Sequence, residues 1–417
     1  MIEKIWKNKK GRCISPAGLF LLGSVLTVIF GFLQIMKTDG EAWNTILFYS
    51  WNDYFMDFYN HVSYVENPST VYWSSVHACF PAFAYIFYFA LNRMIPSQYT
   101  EISTLTRDNP YGGIIFLIYM LAVTLFFIFV VDEYLRKRKI EKLLVFISLF
   151  FTAPFLYLFE RANMVYLVLV LLIAFLLMRD SEKKVNREIA LICLACAAGL
   201  KIYPALFGVL YIKEKRFKEA VRAIIYGVLI FFLPYIFFGG IDGLKQNICN
   251  LIEVNKMVWE EGCFNSLVHI TVMFGHKTGM ATETAVQIGK VISNVYFAVL
   301  LLAALFQKSK WKTYLLLSGI MIWFPMWSGT YTVTYMCLPL LAFMNENTGK
   351  HEIHEYVCAI LFAGIFSLLP IHSEMCMSYF GYNLSTVVRY ASMGALIAVT
   401  LANQCVSAVA YARKQKK

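Results

Sequence analysis

Three residues in one aromatic-rich stretch stand at four-residue intervals: Asp53, Asp57 and His61, with Glu66 shortly after. If that stretch is helical, the spacing puts all three on one face. A carboxylate in partly dry, aromatic surroundings tends to have a raised pKa and can act as a general base. The alternative is a helix-capping acid or one solvated at an interface. Trp43, Phe48, Tyr49, Trp51, Tyr54, Phe55, Phe58, Tyr59, Tyr64, Tyr72 and Trp73 surround the acids. Such density marks a membrane interface, and it is also the surface on which sugar rings stack. His61 is a candidate to tune Asp57 or bind acceptor, although a histidine so placed is more often a solvent-exposed loop residue.

The second chemical resource is cationic. Lys201 interrupts an otherwise apolar run and is followed by Tyr203-Pro204. A lysine at the centre of a spanning helix costs roughly 2.5–3.5 kcal/mol, so such residues are functional candidates, here for an anion such as a phosphate. A snorkelling lysine at a helix end is the structural alternative. Arg161 is the next candidate, with Glu160 beside it as a structural partner. His269 and Arg389 are weaker, because a lone histidine or arginine at the end of a span is more often structural. His351 and His354 fall in an expected cytoplasmic loop, and Glu260-Glu261 read as residues that keep an external loop wet. No grouping of residues suggests a metal site, and no cofactor is implied.

The elements that must position these residues are membrane-spanning helices. Hydrophobic residues make up 59% of the 417 and charged residues 15%, and mean hydropathy is +0.60. A soluble domain of this size would need more charge to cover its surface. Spans are expected at 17–36, 113–132, 142–158, 164–178, 188–202, 203–212, 221–238, 284–306, 313–327, 332–346, 355–371 and 386–408. Residues 203–212 complete a hairpin with 188–202. These make an all-α, polytopic, single membrane domain of about twelve to thirteen spans. The segment 79–95 is apolar, but a further crossing there would break parity, so a juxtamembrane or re-entrant helix is expected.

The formal net charge of +11 is concentrated in short basic clusters: Lys4–Arg12, Arg136–Lys142, Lys183–Arg187, Lys213–Arg222, Lys308–Lys312 and Arg413–Lys417. Placing them in the cytoplasm puts both termini there. The amino terminus reads as an uncleaved signal-anchor. Two long loops, 37–78 and 239–282, then face outward, and binding function concentrates in such loops. Nucleic-acid binding has neither motif nor soluble domain. Cys193 and Cys196 lie in an apolar run and pack like small hydrophobes; spacing does not decide pairing among Cys249, Cys263 and Cys376.

Several short motifs occur in a telling order. The acids after the first helix are followed by Phe80-Pro81-Ala82-Phe83-Ala84-Tyr85. Next come Phe159-Glu160-Arg161-Ala162-Asn163, then Gly199-Leu200-Lys201-Ile202-Tyr203-Pro204 ahead of the basic turn Lys213–Arg216. Cys263-Phe264-Asn265-Ser266-Leu267 and the segment from Trp327-Ser328 to Pro339 complete the set. This order resembles the GT-C membrane glycosyltransferases, most closely family 87, the polyprenyl-phosphate-mannose-dependent mannosyltransferases. Ser328-Gly329-Thr330-Tyr331 stands where that family often has a histidine, and a paired proline is reduced to Phe80-Pro81.

The resemblance implies that Asp57 is the base that deprotonates an acceptor hydroxyl, with Asp53 the competing candidate. The hydroxyl would attack the anomeric carbon as lipid phosphate departs, a metal-independent displacement that inverts that centre. Lys201, Arg161 and Tyr203 would hold the donor phosphate, and His61, Tyr59, Asn163, Asn265, His269 and Tyr331 would bind substrate. The expected partners are a polyprenyl-phosphate-sugar donor, a glycan or glycolipid acceptor and membrane lipids, at the outer face of a bacterial plasma membrane. The alternative is a transporter or flippase of lipid-linked sugars, weakened by the absence of an internal repeat. A membrane acyltransferase would need a histidine-centred site, for which His269 and His372 offer poor context.

Overall fold

The computed structural model describes residues 14–47, 53–257, 265–346 and 352–415. Phe48, Tyr49, Trp51, Glu260, Glu261, Cys263, Phe264, His351 and the Lys4–Arg12 cluster lie outside them. Among the described residues the chain is all helical, without a strand.

The first helix, α1 (Pro16–Lys37), starts where Ser15 accepts a hydrogen bond from the Gly18 N–H at 3.1 Å, and it ends on a basic residue. Short helices then fill the chain up to the next long one: α2 (Met56–Tyr64) and α3 (Val71–Ser74) in the first loop, then α4 (Ala82–Asn92) and α5 (Ser103–Arg107). The 11 residues of α4 reach about 16 Å, about half the hydrocarbon thickness. Its Ala82, Ala84, Tyr85, Tyr88 and Asn92 are buried against the protein.

The long α6 (Pro110–Tyr134) follows, capped by Asn109, whose side chain accepts from the Gly112 N–H at 2.9 Å. Gly112 has to be glycine, because a Cβ there would sit 1.7 Å from the Thr106 carbonyl oxygen. The next helices are α7 (Lys139–Phe150), α8 (Ala153–Arg161), α9 (Val165–Met178), α10 (Lys184–Leu200), α11 (Val209–Lys213) and α12 (Phe217–Phe232). The second long loop contains α13 (Gly240–Met257) and α14 (Leu267–Lys277). The remainder comprises α15 (Thr282–Phe306), α16 (Lys310–Trp323), α17 (Cys337–Glu346), α18 (Ile353–Ile365), α19 (Glu374–Phe380) and α20 (Leu384–Gln415).

Among the described residues, five segments are long and apolar enough to cross a bilayer: Pro16–Lys37, Pro110–Tyr134, Phe217–Phe237, Thr282–Phe306 and Leu384–Val409. The pair α7 and α8, bent by 61°, makes a sixth if it is one broken span. The other expected spans fall on shorter or broken helices. A proline explains part of this: Pro204 opens a 3-10 turn after Lys201, since proline removes the donor that an α-helix needs. The long helices expose Leu117, Leu121, Leu125 and Phe129 on α6 and Val291, Val295 and Leu302 on α15, side chains that in a membrane face lipid. Helices α9 and α16 are nearly all buried and form the centre of the bundle. This is a polytopic helical membrane protein.

Candidate active site

Helix α2 carries Asp57, Asn60, His61 and Tyr64 at i, i+3, i+4 and i+7, which is one helical face, and all four line a cavity of about 620 Å³. The opposite face, Met56, Phe58, Tyr59 and Val62, is buried in the core. Asp53 is not on this helix. The chain turns at Phe55 with φ +61°, a left-handed conformation that costs a non-glycine residue on the order of 1–3 kcal/mol. The turn is held because the Phe55 N–H donates to the Glu160 carbonyl at 2.9 Å. A second left-handed residue, Ala162 (φ +50°), ends α8 on the facing side. Two strained turns therefore flank the same contact, and strain of this kind clusters at functional sites.

Between the turns lies an ion-pair fork. Arg161 donates through Nη1 to Asp53 Oδ2 at 2.5 Å and through Nη2 to Asp57 Oδ1 at 2.5 Å. Asn163 Nδ2 donates to the other Asp57 oxygen at 2.7 Å, while its own Oδ1 accepts from the Val165 N–H at 3.0 Å. Glu160 Oε1 lies 4.0 Å from Arg161. Burial pushes the Asp57 pKa up, but the charge and hydrogen bond of Arg161 and the hydrogen bond of Asn163 outweigh it and hold the carboxyl below its ordinary value. The raised pKa expected from aromatic surroundings is thus reversed, because the surroundings also contain a guanidinium. Asp57 is a standing carboxylate at neutral pH.

Lys201 faces the same cavity. It ends α10 in an extended conformation, ahead of the 3-10 turn Tyr203–Gly208 that Pro204 opens. Its ammonium sits 4.0 Å from the centroid of the Phe80 ring, a contact worth on the order of 0.5–2 kcal/mol. Among the described residues no carboxylate lies within ion-pair distance of it. The cavity therefore has a negative end, where Asp53 and Asp57 share one guanidinium, and a positive end at Lys201.

His61 is buried rather than exposed in a loop. Its ring stacks on Phe80 at 4.0 Å and on Tyr88 at 5.3 Å. Burial pushes its pKa down to about 3, although the Asp57 charge works in the opposite direction, so the imidazole is neutral.

Tyr203 and Tyr331 also line the cavity, the latter stacked on Tyr157 at 6.2 Å. Three expected site residues do not line it. Tyr59 points into the core and donates to the Gly112 carbonyl at 3.4 Å. The main chain of Asn265 donates to Ser328 O at 2.9 Å and its side chain reaches Thr332. His269 is buried in α14 beside Tyr382. Arg389, also buried, donates to Ser385 Oγ at 3.0 Å.

Sequence reasoning missed Asn60, Tyr64, His77, Tyr157, Asn255 and Trp327. Asn60 and Tyr64 continue the face of Asp57 at helical spacing, and Tyr157 lies four residues before Arg161, so both signals were present. His77 and Asn255 carry none, since only packing brings them in. Helix α13, which supplies Leu251, Val254 and Asn255, is pinned across the first loop. Asn247 Nδ2 donates to Phe80 O at 2.7 Å, and Asn250 Nδ2 donates to Tyr72 O at 2.7 Å and Ala78 O at 3.0 Å. Cys249 and Cys376 are free thiols.

Fold and site together define a membrane protein with a charged, polarised cavity. Residues 110–327, more than half of the chain, match the family model of glycosyltransferase family 87, and the chain belongs to that family. It is accordingly a membrane glycosyltransferase. The matched stretch holds Arg161, Asn163, Lys201 and Tyr203, whereas Asp53, Asp57, His61 and Tyr331 lie outside it and are brought to it by the fold. A search of curated proteins finds no match.

Proposed function

We propose that the enzyme transfers a sugar, mannose or another hexose, from a polyprenyl-phosphate donor to a glycan or glycolipid acceptor at the outer face of a bacterial plasma membrane. The observation that carries this reading is the polarity of the cavity. A glycosyl transfer of this kind separates charge in its transition state: the anomeric carbon becomes cation-like while negative charge builds on the departing phosphate. Carboxylates at one end, and at the other a lysine with no carboxylate at ion-pair distance among the described residues, complement that pattern. Asp57 takes the proton of the acceptor hydroxyl, the oxygen attacks the anomeric carbon, and the carbon–phosphate-oxygen bond breaks with inversion. Lys201 receives the phosphate, assisted by Tyr203.

Arg161 has a different part from the one expected of it. With its guanidinium held by Asp53 and Asp57, it orients the base, and it contributes to phosphate binding only through its field. A low-pKa base suits a reaction in which bond breaking leads, because the acceptor hydroxyl acidifies as its oxygen begins to bond to carbon. A lipid donor is supported by an apolar groove of about 460 Å³ between α10, α11 and α12, lined by Leu194, Ile212 and Phe231 among others. The groove shares Ile202 with the polar cavity, so a tail in the groove and a headgroup at Lys201 are compatible.

The test is sugar transfer by purified protein in detergent, offering several polyprenyl-phosphate sugars and a lipid acceptor extract, with and without a chelator. Transfer that disappears in Asp57→Asn and persists in chelator is expected. Transfer that survives in Asp57→Asn would move the base elsewhere. Movement of lipid-linked sugar across liposomes without a new glycosidic bond would replace the reading with a flippase.

A further inference from the structure

His61 lines the cavity while packed among aromatic rings. Its ring stacks on Phe80 and lies against Tyr88 and Tyr64, and Tyr85 Oη lies 3.2 Å from Nδ1. With Nδ1 engaged by that hydroxyl, Nε2 is the ring nitrogen left for a ligand in the cavity.

The direction of the tyrosine contact sets the tautomer. Tyr85 is completely buried, and among the described residues His61 Nδ1 is the acceptor its hydroxyl reaches. If Nδ1 carried the proton, the hydroxyl hydrogen of Tyr85 would be buried without an acceptor, at a cost that buried polar groups rarely bear. The hydroxyl therefore donates to Nδ1, and the proton of the neutral imidazole is on Nε2. Phe80 completes the arrangement, since the Lys201 ammonium lies 4.0 Å from its centroid while His61 occupies a stacked face at the same distance.

We propose that Tyr85 is a positioning residue that fixes His61 as an Nε2–H hydrogen-bond donor aimed into the cavity, where it binds a hydroxyl oxygen of the acceptor sugar held against Asp57. The placement rests on the reading of Asp57 as base. One helical turn separates the two residues, about 5–6 Å between Cβ atoms, which is the breadth of a sugar ring. A neutral donor suits a hydroxyl, whereas the anionic phosphate has Lys201.

The tautomer is measurable on the intact enzyme without substrate, by nitrogen NMR of protein labelled with 15N-histidine in nanodiscs, with the His61 signals assigned from His61→Gln. Wild type is expected to show Nε2 protonated and Nδ1 bare at neutral pH, and Tyr85→Phe a mixture of the two tautomers. An Nδ1-protonated or doubly protonated His61 in wild type overturns the proposal.

In the transfer assay, Gln keeps an N–H near the Nε2 position and Asn near Nδ1. His61→Gln should stay within about fivefold of wild type, while His61→Asn should raise the acceptor KM roughly tenfold, the loss of one buried hydrogen bond. The donor KM should be unchanged in both. Equal loss in the two variants overturns the donor role even where dependence on Asp57 holds. The NMR result, read without turnover, stands independently of which residue is the base.

Discussion

Helix α9 has an arginine-centred ion-pair cluster just beyond each end, and the two clusters differ in how their charges are matched. At the far end, Arg179 Nε donates to Asp180 at 3.1 Å and Nη2 pairs with Glu214. Arg216 reaches Asp180 at 3.1 Å and Glu219 at 3.4 Å, and Lys310 reaches Asp180 at 2.9 Å. Three cations there meet three carboxylates, and the cluster ties the basic turns after α9, α11 and α15 together. At the near end, Arg161 pairs with Asp53 and Asp57 beside Glu160, and another cation, Lys201, lines the same cavity. A closed network with matched charges holds loops. An open one with separated charges leaves work for a ligand.

The sharpest break in this comparison is Asp57→Asn, which keeps the shape and removes the charge. Transfer should fall roughly 10²- to 10⁴-fold, the usual contribution of a general base, with little change in thermal stability. Next, Lys201→Gln should raise the donor KM roughly tenfold to a hundredfold, the value of a charge-assisted hydrogen bond, and leave the acceptor KM alone. Arg179→Ala at the far cluster should do the reverse. It should lower stability by about 1–3 kcal/mol in a detergent melting experiment, while the protein that remains folded transfers at the wild-type rate. A far-end variant that lost turnover without losing stability would erase the distinction between the two clusters.

The smallest expected effect is on pH. The folded-state pKa of His61 lies near 3 against an ordinary 6.5, so between those values the unfolded chain binds a proton that the folded one does not. Stability is therefore fully present above about 6.5 and declines as pH falls towards 3. From pH 7 to pH 5 the loss attributable to His61 is about 2 kcal/mol. The charges acting on it are Asp57, Lys201 and His77. His61→Gln should flatten this part of the stability profile; an unchanged slope would mean that His61 is not held neutral.

Much of this molecule could be read from its residues. Composition and apolar runs required a helical membrane protein, because so little charge cannot clothe a soluble one. Asp57 and Lys201 stood out because each is a charge in apolar or aromatic company, and such placement is costly without a purpose. Asp53 and Arg161 were also visible. Their mutual engagement was not, because they lie 108 positions apart in the chain and nothing local couples them.

The tertiary structure decided what each charge does. It converted Asp57 from a dry acid with an expected high pKa into one held below its ordinary value, because the charge and hydrogen bonds of Arg161 and Asn163 outweigh desolvation. It moved Asp53 off the helix through a left-handed turn at Phe55 that only the Glu160 carbonyl explains. It turned His61 inward against Phe80 and Tyr88, where its spacing alone left it free to be a surface residue, and kept Tyr59, Asn265 and His269 out of the cavity. Periodicity reports which face of a helix is apolar, and so it determined the bundle. Which polar groups meet depends on how separate helices pack, and no local pattern encodes that.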